Sequence, residues 1–167
     1  MSDSANSEAA DLEALRTFAK RLTLGIERAI GPWIERSIES VCERSGIMVT
    51  GLVRQRARDA GVEASNVVVP RISELLSLDI DDQRVGPLEL IRGAVGFATA
   101  VLLELGATPV QRDEMSQSMF PDDVFDLTPG SFGDLDSSLQ EMGIEWGAAK
   151  AHVFLARRRS IDTPPKP

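Results

Sequence analysis

The most direct candidates for proton-transfer or nucleophilic chemistry in this chain are its single histidine, His152, and its single cysteine, Cys42. Acyl and phosphoryl transfer commonly require a nucleophile, a base and a group that stabilises developing charge, and histidine is the commonest base. His152 lies near the C-terminal end of a predicted helix, where the helix dipole stabilises a cationic imidazole. Cys42 lies on the inner side of another predicted helix, with no histidine nearby in the sequence. We interpret both as structural residues and expect no catalytic residues.

Carboxylates form three clusters that need to be considered as metal ligands. A calcium loop of the EF-hand type requires oxygen ligands at alternate positions, a central glycine and a closing glutamate, and no cluster has this set. A carboxylate di-metal bundle requires Glu-x-x-His pairs on facing helices, which one histidine cannot supply. The pattern favours helix capping and solvation, and we expect neither a metal nor a cofactor. The clusters are Asp79, Asp81 and Asp82; Asp122, Asp123 and Asp126; and Asp134 and Asp136.

Charge is distributed unevenly along the C-terminal part of the chain. From Asp113 to Glu145 there are nine acidic residues and no lysine or arginine, whereas three consecutive arginines follow at 157–159. The arginines either fold back onto the acidic segment as exposed ion pairs or engage an acidic partner. We predict the second arrangement. The candidate partner-binding residues are Arg157, Arg158, Arg159, Asp122, Asp123 and Asp126.

A second basic cluster, Arg54, Arg56 and Arg58, bears on nucleic-acid binding. The chain has a formal net charge of −8, whereas phosphate binding needs a basic face. The cluster also lacks the interleaved aromatic residues of a single-strand-binding surface. A nucleic-acid-associated factor is therefore the weakest of the functions considered. It would be favoured if these arginines shared one exposed face away from carboxylates.

The most apolar run of the chain covers residues 87–105, and we expect the other elements to pack around it. Gly86-Pro87 indicates a helix start and Gly106 a helix stop. Apolar residues recur at helical spacing in two neighbouring rows, so this helix should be buried on most sides. Gly93 and Gly96 should let a neighbouring helix approach closely.

Composition favours an all-α fold, since the chain is 43% hydrophobic and 26% charged and has no tyrosine and two tryptophans. We expect Gly31-Pro32 and Gly61 to end helices. Residues 67–69 could instead form a strand, but no second strand is available to pair with them. The further predicted helices cover about 9–30, 32–44, 47–60, 66–77, 108–119, 131–142 and 144–159.

These elements predict a single-domain, irregular bundle of six or seven helices around a central buried helix. We expect disordered tails over 1–8 and 160–167 and a helical domain over 9–159. The segment 120–130, with two prolines and three acids, is long for a connector, so it is either a packed loop or a functional one.

Residues 120–132 (FPDDVFDLTPGSF) and 145–152 (EWGAAKAH) resemble the C-terminal part of a family of small actinobacterial helical proteins of unknown function. The two blocks cover a minor part of the chain. The resemblance implies no activity, and no functional residue is carried over from it.

The sequence indicates a cytoplasmic protein. Residues 1–8 lack the basic and apolar regions of a secretory signal, and one cysteine excludes an internal disulfide. The longest uncharged apolar run, 93–103, is far shorter than the roughly 20 residues that span a bilayer, so we expect no membrane association.

The leading functional interpretation is a non-enzymatic protein-interaction or regulatory accessory factor with a protein partner, and a homo-oligomer also stays open. The alternative is a small-ligand binder or enzyme with a pocket between helices, near Trp33 or Trp146. An apolar pocket with a few converging polar groups would favour this alternative.

Overall fold

The computed structural model describes residues 2–162, which are helical apart from turns and loops. Two short 3-10 turns lie at Ile80–Asp82 and Phe132–Asp134. This part of the chain contains no β-strand, so the predicted all-α class is confirmed. The helices are α1 (Ser2–Arg44), α2 (Gly51–Ser77), α3 (Pro87–Arg92), α4 (Val95–Glu104), α5 (Glu114–Met119) and α6 (Ser137–Asp162).

Helices α1 and α2 form a hairpin that makes the most extensive contact in the fold. The backbone turns after α1 at Gly46, whose φ of 72° is in the left-handed region that favours glycine. The amide of Ile47 donates to the carbonyl of Cys42 at 2.8 Å. The Thr50 hydroxyl accepts a hydrogen bond from the amide of Val53, which caps the start of α2.

The two helices of the hairpin approach each other closely at Gly31 and Gly61. A β-carbon built on Gly61 would lie 2.8 Å from the carbonyl oxygen of Gly31. The predicted helix break at Gly31-Pro32 is wrong, because α1 continues through Pro32. Ile30 and Trp33 on either side of the proline are buried, so packing outweighs the loss of one helical hydrogen bond.

Helix α6 packs along the first half of α1. Its inner face buries Leu139, Trp146 and Val153. A β-carbon on Gly25 of α1 would lie 2.5 Å from the side chain of Leu139, so a larger side chain at Gly25 would require Leu139 to move. The buried side chains of α1, α2, α4 and α6 belong to one continuous core.

The expected central helix over 87–105 is two shorter helices, α3 and α4, separated at Gly93-Ala94. One face of α4 is buried at Ala98 and Leu102, while Leu103 on the other face is 56% exposed. The segment is therefore half-covered, and α1 is the helix that contacts α2, α4 and α6. Among the described residues, no helix is long and apolar enough to cross a membrane.

Several predicted helix boundaries also differ from the structure. Residues 2–8, expected to be disordered, continue α1, and α2 runs without interruption through Gly61 and Pro70. The helix expected at 108 begins instead at Glu114, capped by Asp113. At the other end α6 extends to Asp162, and the rest of the expected tail, 163–167, lies outside the described residues.

Candidate functional site

Of the predicted partner-binding residues, Arg157 lies within ion-pair distance of three carboxylates among the described residues. Its guanidinium donates to both carboxylate oxygens of Asp79, at 2.6 and 3.1 Å, and to Asp81 at 2.9 Å. Its Nε also lies 3.7 Å from a carboxylate oxygen of Glu8 in α1. Arg157 therefore joins α6 to the 3-10 turn after α2 and to the start of α1.

Arg157 favours the charged form of the Asp79 carboxylate. The hydrogen bonds from Arg157, followed by one from the amide of Asp81, lower the pKa of Asp79 from 3.8 to about 2. The side chain of Arg157 is 23% exposed. These contacts give Arg157 a structural role within the chain, and its assignment as a partner-binding residue stays a prediction. Arg158 and Arg159, by contrast, are exposed.

The segment 120–130, called here the acidic loop, contains both buried and exposed aspartates. Asp123 is 5% exposed, and its carboxylate accepts hydrogen bonds from the amides of Leu127 and Thr128, at 2.9 and 2.8 Å. The Thr128 hydroxyl donates to it as well, at 2.6 Å. Asp123 therefore stabilises its own loop, and its assignment as a partner-binding residue stays a prediction. Asp122 and Asp126 are exposed, and Asp126 has a positive φ of 58°.

The acidic loop is also packed by its apolar residues. Phe125 is fully buried, and Val124 and Leu127 pack against the core. The carboxylates that contact Arg157 come from residues 8, 79 and 81 and not from this loop. Arg157 therefore does not connect the arginines at 157–159 to the aspartates of the loop.

His152 lies on the surface and Cys42 lies in the core. The Nε2 atom of His152 lies 3.2 Å from Asp11 on an exposed helix surface. Cys42 is fully buried, and burial, with Glu39 and Glu43, raises the pKa of its thiol. A thiol held in its protonated form is a poor nucleophile, which agrees with the structural interpretation of Cys42.

The second basic cluster is partly neutralised. Arg56 forms an ion pair with Glu104 of α4, and Arg58 donates to Gln55, which in turn donates to Asp59. The condition that would favour nucleic-acid binding, a set of arginines away from carboxylates, is not met in this part of the structure.

An apolar groove lies beside Trp146, one of the two positions at which the sequence predicts a pocket. It lies between α1, the end of α2 and α6, and its cavity volume is about 720 Å³. Ligand pockets commonly have volumes of about 300–1,000 Å³. Leu15, Ala19, Leu76 and Ile80 are its buried apolar residues. Its lining is Leu12, Leu15, Arg16, Ala19, Lys20, Thr23, Leu24, Ser73, Leu76, Ser77, Leu78, Asp79, Ile80, Gln83 and Trp146.

The turn that closes one end of the groove is positioned by α6. Asp79 caps this turn by accepting from the amide of Asp81, which directs Ile80 into the core. Arg157 holds both aspartates from the side of α6. The hydrogen bonds from Arg157 to Asp79 and Asp81 therefore position one wall of the groove.

Lys20 lines the groove, and Lys150 contacts two of its lining residues, Gln83 and Trp146. The Lys150 ammonium donates to Gln83 at 2.9 Å and lies 5.1 Å from the centre of the Trp146 ring. Within residues 2–162 no carboxylate lies within ion-pair distance of Lys150 or of Lys20. Burial lowers the pKa of Lys150, as expected for an ammonium that is desolvated without a counter-ion.

Sequence reasoning identified the position of Trp146 but not the residues that surround it. Lys20, Ser73 and Gln83 come from α1, from α2 and from the connection that follows α2, and no local pattern links them. The spacing of Arg16 and Lys20, one helical turn apart beside the buried Leu15 and Ala19, was the available signal.

The described residues include no group of three or more His, Cys, Asp or Glu side chains arranged to hold a metal ion. Comparison of the chain with protein-family models gives no match, and comparisons with curated proteins and with solved structures give none either.

Proposed function

We propose that this protein is a non-enzymatic binding protein that takes a small amphipathic molecule with an anionic headgroup in the groove beside Trp146. The observation that carries the proposal is the apolar lining of this groove, which includes Lys20, with Lys150 against its lining residues Gln83 and Trp146. Neither lysine has a carboxylate partner among the described residues. An apolar ligand body would replace water over Leu15 and Leu76. A carboxylate would supply the counter-ion that Lys20 and Lys150 lack.

The other polar side chains of the groove support binding rather than catalysis. The Thr23 hydroxyl donates to the carbonyl of Ala19 at 2.8 Å, and the Ser77 hydroxyl donates to that of Glu74 at 2.7 Å. Asp79 is engaged by Arg157. None of these groups is arranged with a base to act as a nucleophile, so the groove offers affinity and orientation.

Isothermal titration calorimetry with decanoate and with decan-1-ol tests this proposal. We expect saturable binding of decanoate and much weaker binding of decan-1-ol, because the alcohol lacks the charge. Lys150→Gln should weaken decanoate binding by about tenfold, equivalent to one charge-assisted hydrogen bond of about 1.4 kcal/mol. Arg71→Gln removes an exposed charge elsewhere on α2 and should leave binding unchanged.

A second pair of variants tests the location of the site. Ser73→Phe places a large side chain on the lining of the groove and should abolish decanoate binding. Ser40→Phe adds the same side chain to an exposed position of α1 and is the matched control. No saturable binding to the wild-type protein, or equal binding to Ser73→Phe, would refute the proposal.

As a second candidate we propose a cytoplasmic protein-interaction or regulatory accessory factor, and we retain the resemblance to the uncharacterised actinobacterial family as part of it. The exposure of Asp122, Asp126, Arg158 and Arg159 supports this candidate. Pull-down from the native host with Asp122→Lys/Asp126→Lys and Arg158→Glu variants tests it. A partner captured equally by all variants would exclude these charges as its binding site.

A further inference from the structure

The outer face of α6 carries a second organised surface, distinct from the groove. The inner face of this helix is buried against α1, with Trp146 and Val153 among its contacts. On the opposite face, residues spaced by three and four along the helix are all exposed, including Ile144 at 61% and Leu155 at 51%. This outer stripe consists of Glu141, Ile144, Ala148, Ala151, Leu155 and Arg158.

The outer stripe has the alternating spacing of three and four residues that helices use when they pack side by side. Its end members are one acid and one base, the next two are large aliphatic residues, and the central two are alanines. Read from either end, the stripe therefore shows a charge, a large apolar residue and a small residue. It is self-complementary when a second identical helix runs antiparallel to it.

We propose that the outer stripe binds the same stripe of a second copy of this chain, so that two α6 helices pack antiparallel across a two-fold axis. Glu141 of one copy then faces Arg158 of the other, and this ion pair occurs twice. Ile144 likewise faces Leu155. The alanines at 148 and 151 meet at the centre, where their small size allows the helices to approach closely.

Charge selects the antiparallel arrangement over the parallel one. In a parallel pair Glu141 would face Glu141 and Arg158 would face Arg158, which places like charges together at both ends. An isologous contact of this kind closes on itself and gives a dimer rather than a filament. A second copy therefore fits the stripe better than an unrelated partner, because the stripe supplies its own complement.

The expected association is weak. The stripe is about 25 Å long at 1.5 Å per residue, so the contact lies toward the small end of specific protein interfaces. We expect a dissociation constant of about micromolar or weaker, with a dimer population that depends on concentration. Trp146 faces away from the stripe, so the dimer leaves the groove open and this inference does not depend on the function proposed for the groove.

Sedimentation velocity over a concentration series tests the dimer by charge reversal. Glu141→Arg and Arg158→Glu should each abolish the dimer, because each places two like-charged pairs at its ends. The double variant Glu141→Arg/Arg158→Glu should restore it, since both pairs are then reformed with opposite polarity. An equimolar mixture of the two single variants should form a heterodimer that neither forms alone.

The controls reverse charges on the exposed surface of α2. Glu74→Arg and Arg71→Glu should leave the wild-type dimer unchanged, and circular dichroism should show that every variant is folded. A wild-type protein that is monomeric up to about millimolar concentration overturns the inference. So does a dimer that survives both single reversals, or one that the double reversal fails to restore.

Discussion

At the scale of single residues, Arg157 shows how one side chain can connect three segments of the chain. It contacts Asp79 and Asp81 in the turn after α2 and lies near Glu8 of α1. The pair with Asp79 is bidentate, the geometry in which a guanidinium binds a carboxylate most strongly. The sequence shows the arginine run but not which arginine faces these carboxylates, because that depends on how α6 is rotated against α1.

We predict that Arg157→Ala lowers the free energy of unfolding by about 1 kcal/mol at neutral pH, since the pair is partly exposed to solvent. The pKa of Asp79 is lower in the folded state than in the unfolded state. The contribution of the pair is therefore present above about pH 4 and is lost as the pH falls toward 2.

Urea unfolding of wild-type protein and Arg157→Ala at pH 6 and pH 2.5 measures this effect. The difference between the two proteins should shrink at the lower pH. Arg71→Ala on α2 is the matched control and should show no difference at either pH. An equal effect of Arg157→Ala at both pH values would mean that Asp79 is not its principal partner.

Asp122 and Asp123 are neighbours with opposite environments, and the sequence does not distinguish them. We predict that Asp123→Ala costs about 2–3 kcal/mol, because it leaves the partly buried amides of Leu127 and Thr128 without their acceptor. Asp122→Ala should change stability by less than about 0.5 kcal/mol.

Thermal unfolding compares the two variants, and amide hydrogen exchange of Leu127 and Thr128 locates the effect in the loop. The clustering of acids in this loop is visible in the sequence. The burial of one of them follows from the docking of Phe125 in the core, which no local pattern predicts.

At the scale of the elements, local rules predict the helices correctly and their ends poorly. Proline and glycine lower helix propensity, which is why the sequence predicts breaks at Gly31-Pro32 and Gly61. Both helices continue, because buried residues on each side of these positions gain more from packing than the backbone loses. The sequence also predicts close approach through glycine, but at Gly93 and Gly96. An added β-carbon would meet only the carbonyl of Leu90, in the same segment, at Gly93 and no atom within 4 Å at Gly96.

The glycine pair between α1 and α2 gives an asymmetric prediction. Gly61→Ala should destabilise the fold by about 1–3 kcal/mol, because its β-carbon would meet the backbone carbonyl of Gly31, which cannot rotate away. Gly31→Ala should be neutral or stabilising by up to about 1 kcal/mol, since its β-carbon would lie 3.8 Å from the nearest atom and alanine favours the helix.

Chemical denaturation of the two variants under identical conditions makes this comparison. Equal losses in both would show that the spacing of the helices, rather than one contact, limits this crossing. Equal stability in both would show that the hairpin relaxes at no cost.

At the scale of the whole molecule, composition predicts the helical class correctly. The most apolar segment of the sequence, however, is not the helix around which the others pack. The most apolar segment, 87–105, is split and leaves Leu103 exposed. Helix α1 is more polar but much longer, and its length lets one helix contact α2, α4 and α6. The helix that contacts most of the others is therefore determined by its length and by how many of its faces are packed. The hydrophobicity of the sequence predicts neither quantity.

The continuous core predicts that the helical domain unfolds as one unit. Trp33 of α1 and Trp146 of α6 are both buried in this core, as is Leu102 of α4. If unfolding is cooperative, a change in α4 must shift the signals of both tryptophans equally, although α4 lies far from each in the sequence. Trp33→Phe and Trp146→Phe provide backgrounds in which a single tryptophan reports on each helix.

In both backgrounds Leu102→Ala should cost about 2–5 kcal/mol, because it removes a fully buried side chain and leaves a cavity. At about 2–4 °C per kcal/mol for a protein of this size, the melting temperature should fall by the same amount whether it is followed by tryptophan fluorescence or by circular dichroism. Leu103→Ala, the exposed neighbour in the same helix, should change it little. A fall seen by one tryptophan and not by the other would show that α1 and α6 unfold separately, since a cavity in a shared core destabilises every helix that the core holds together.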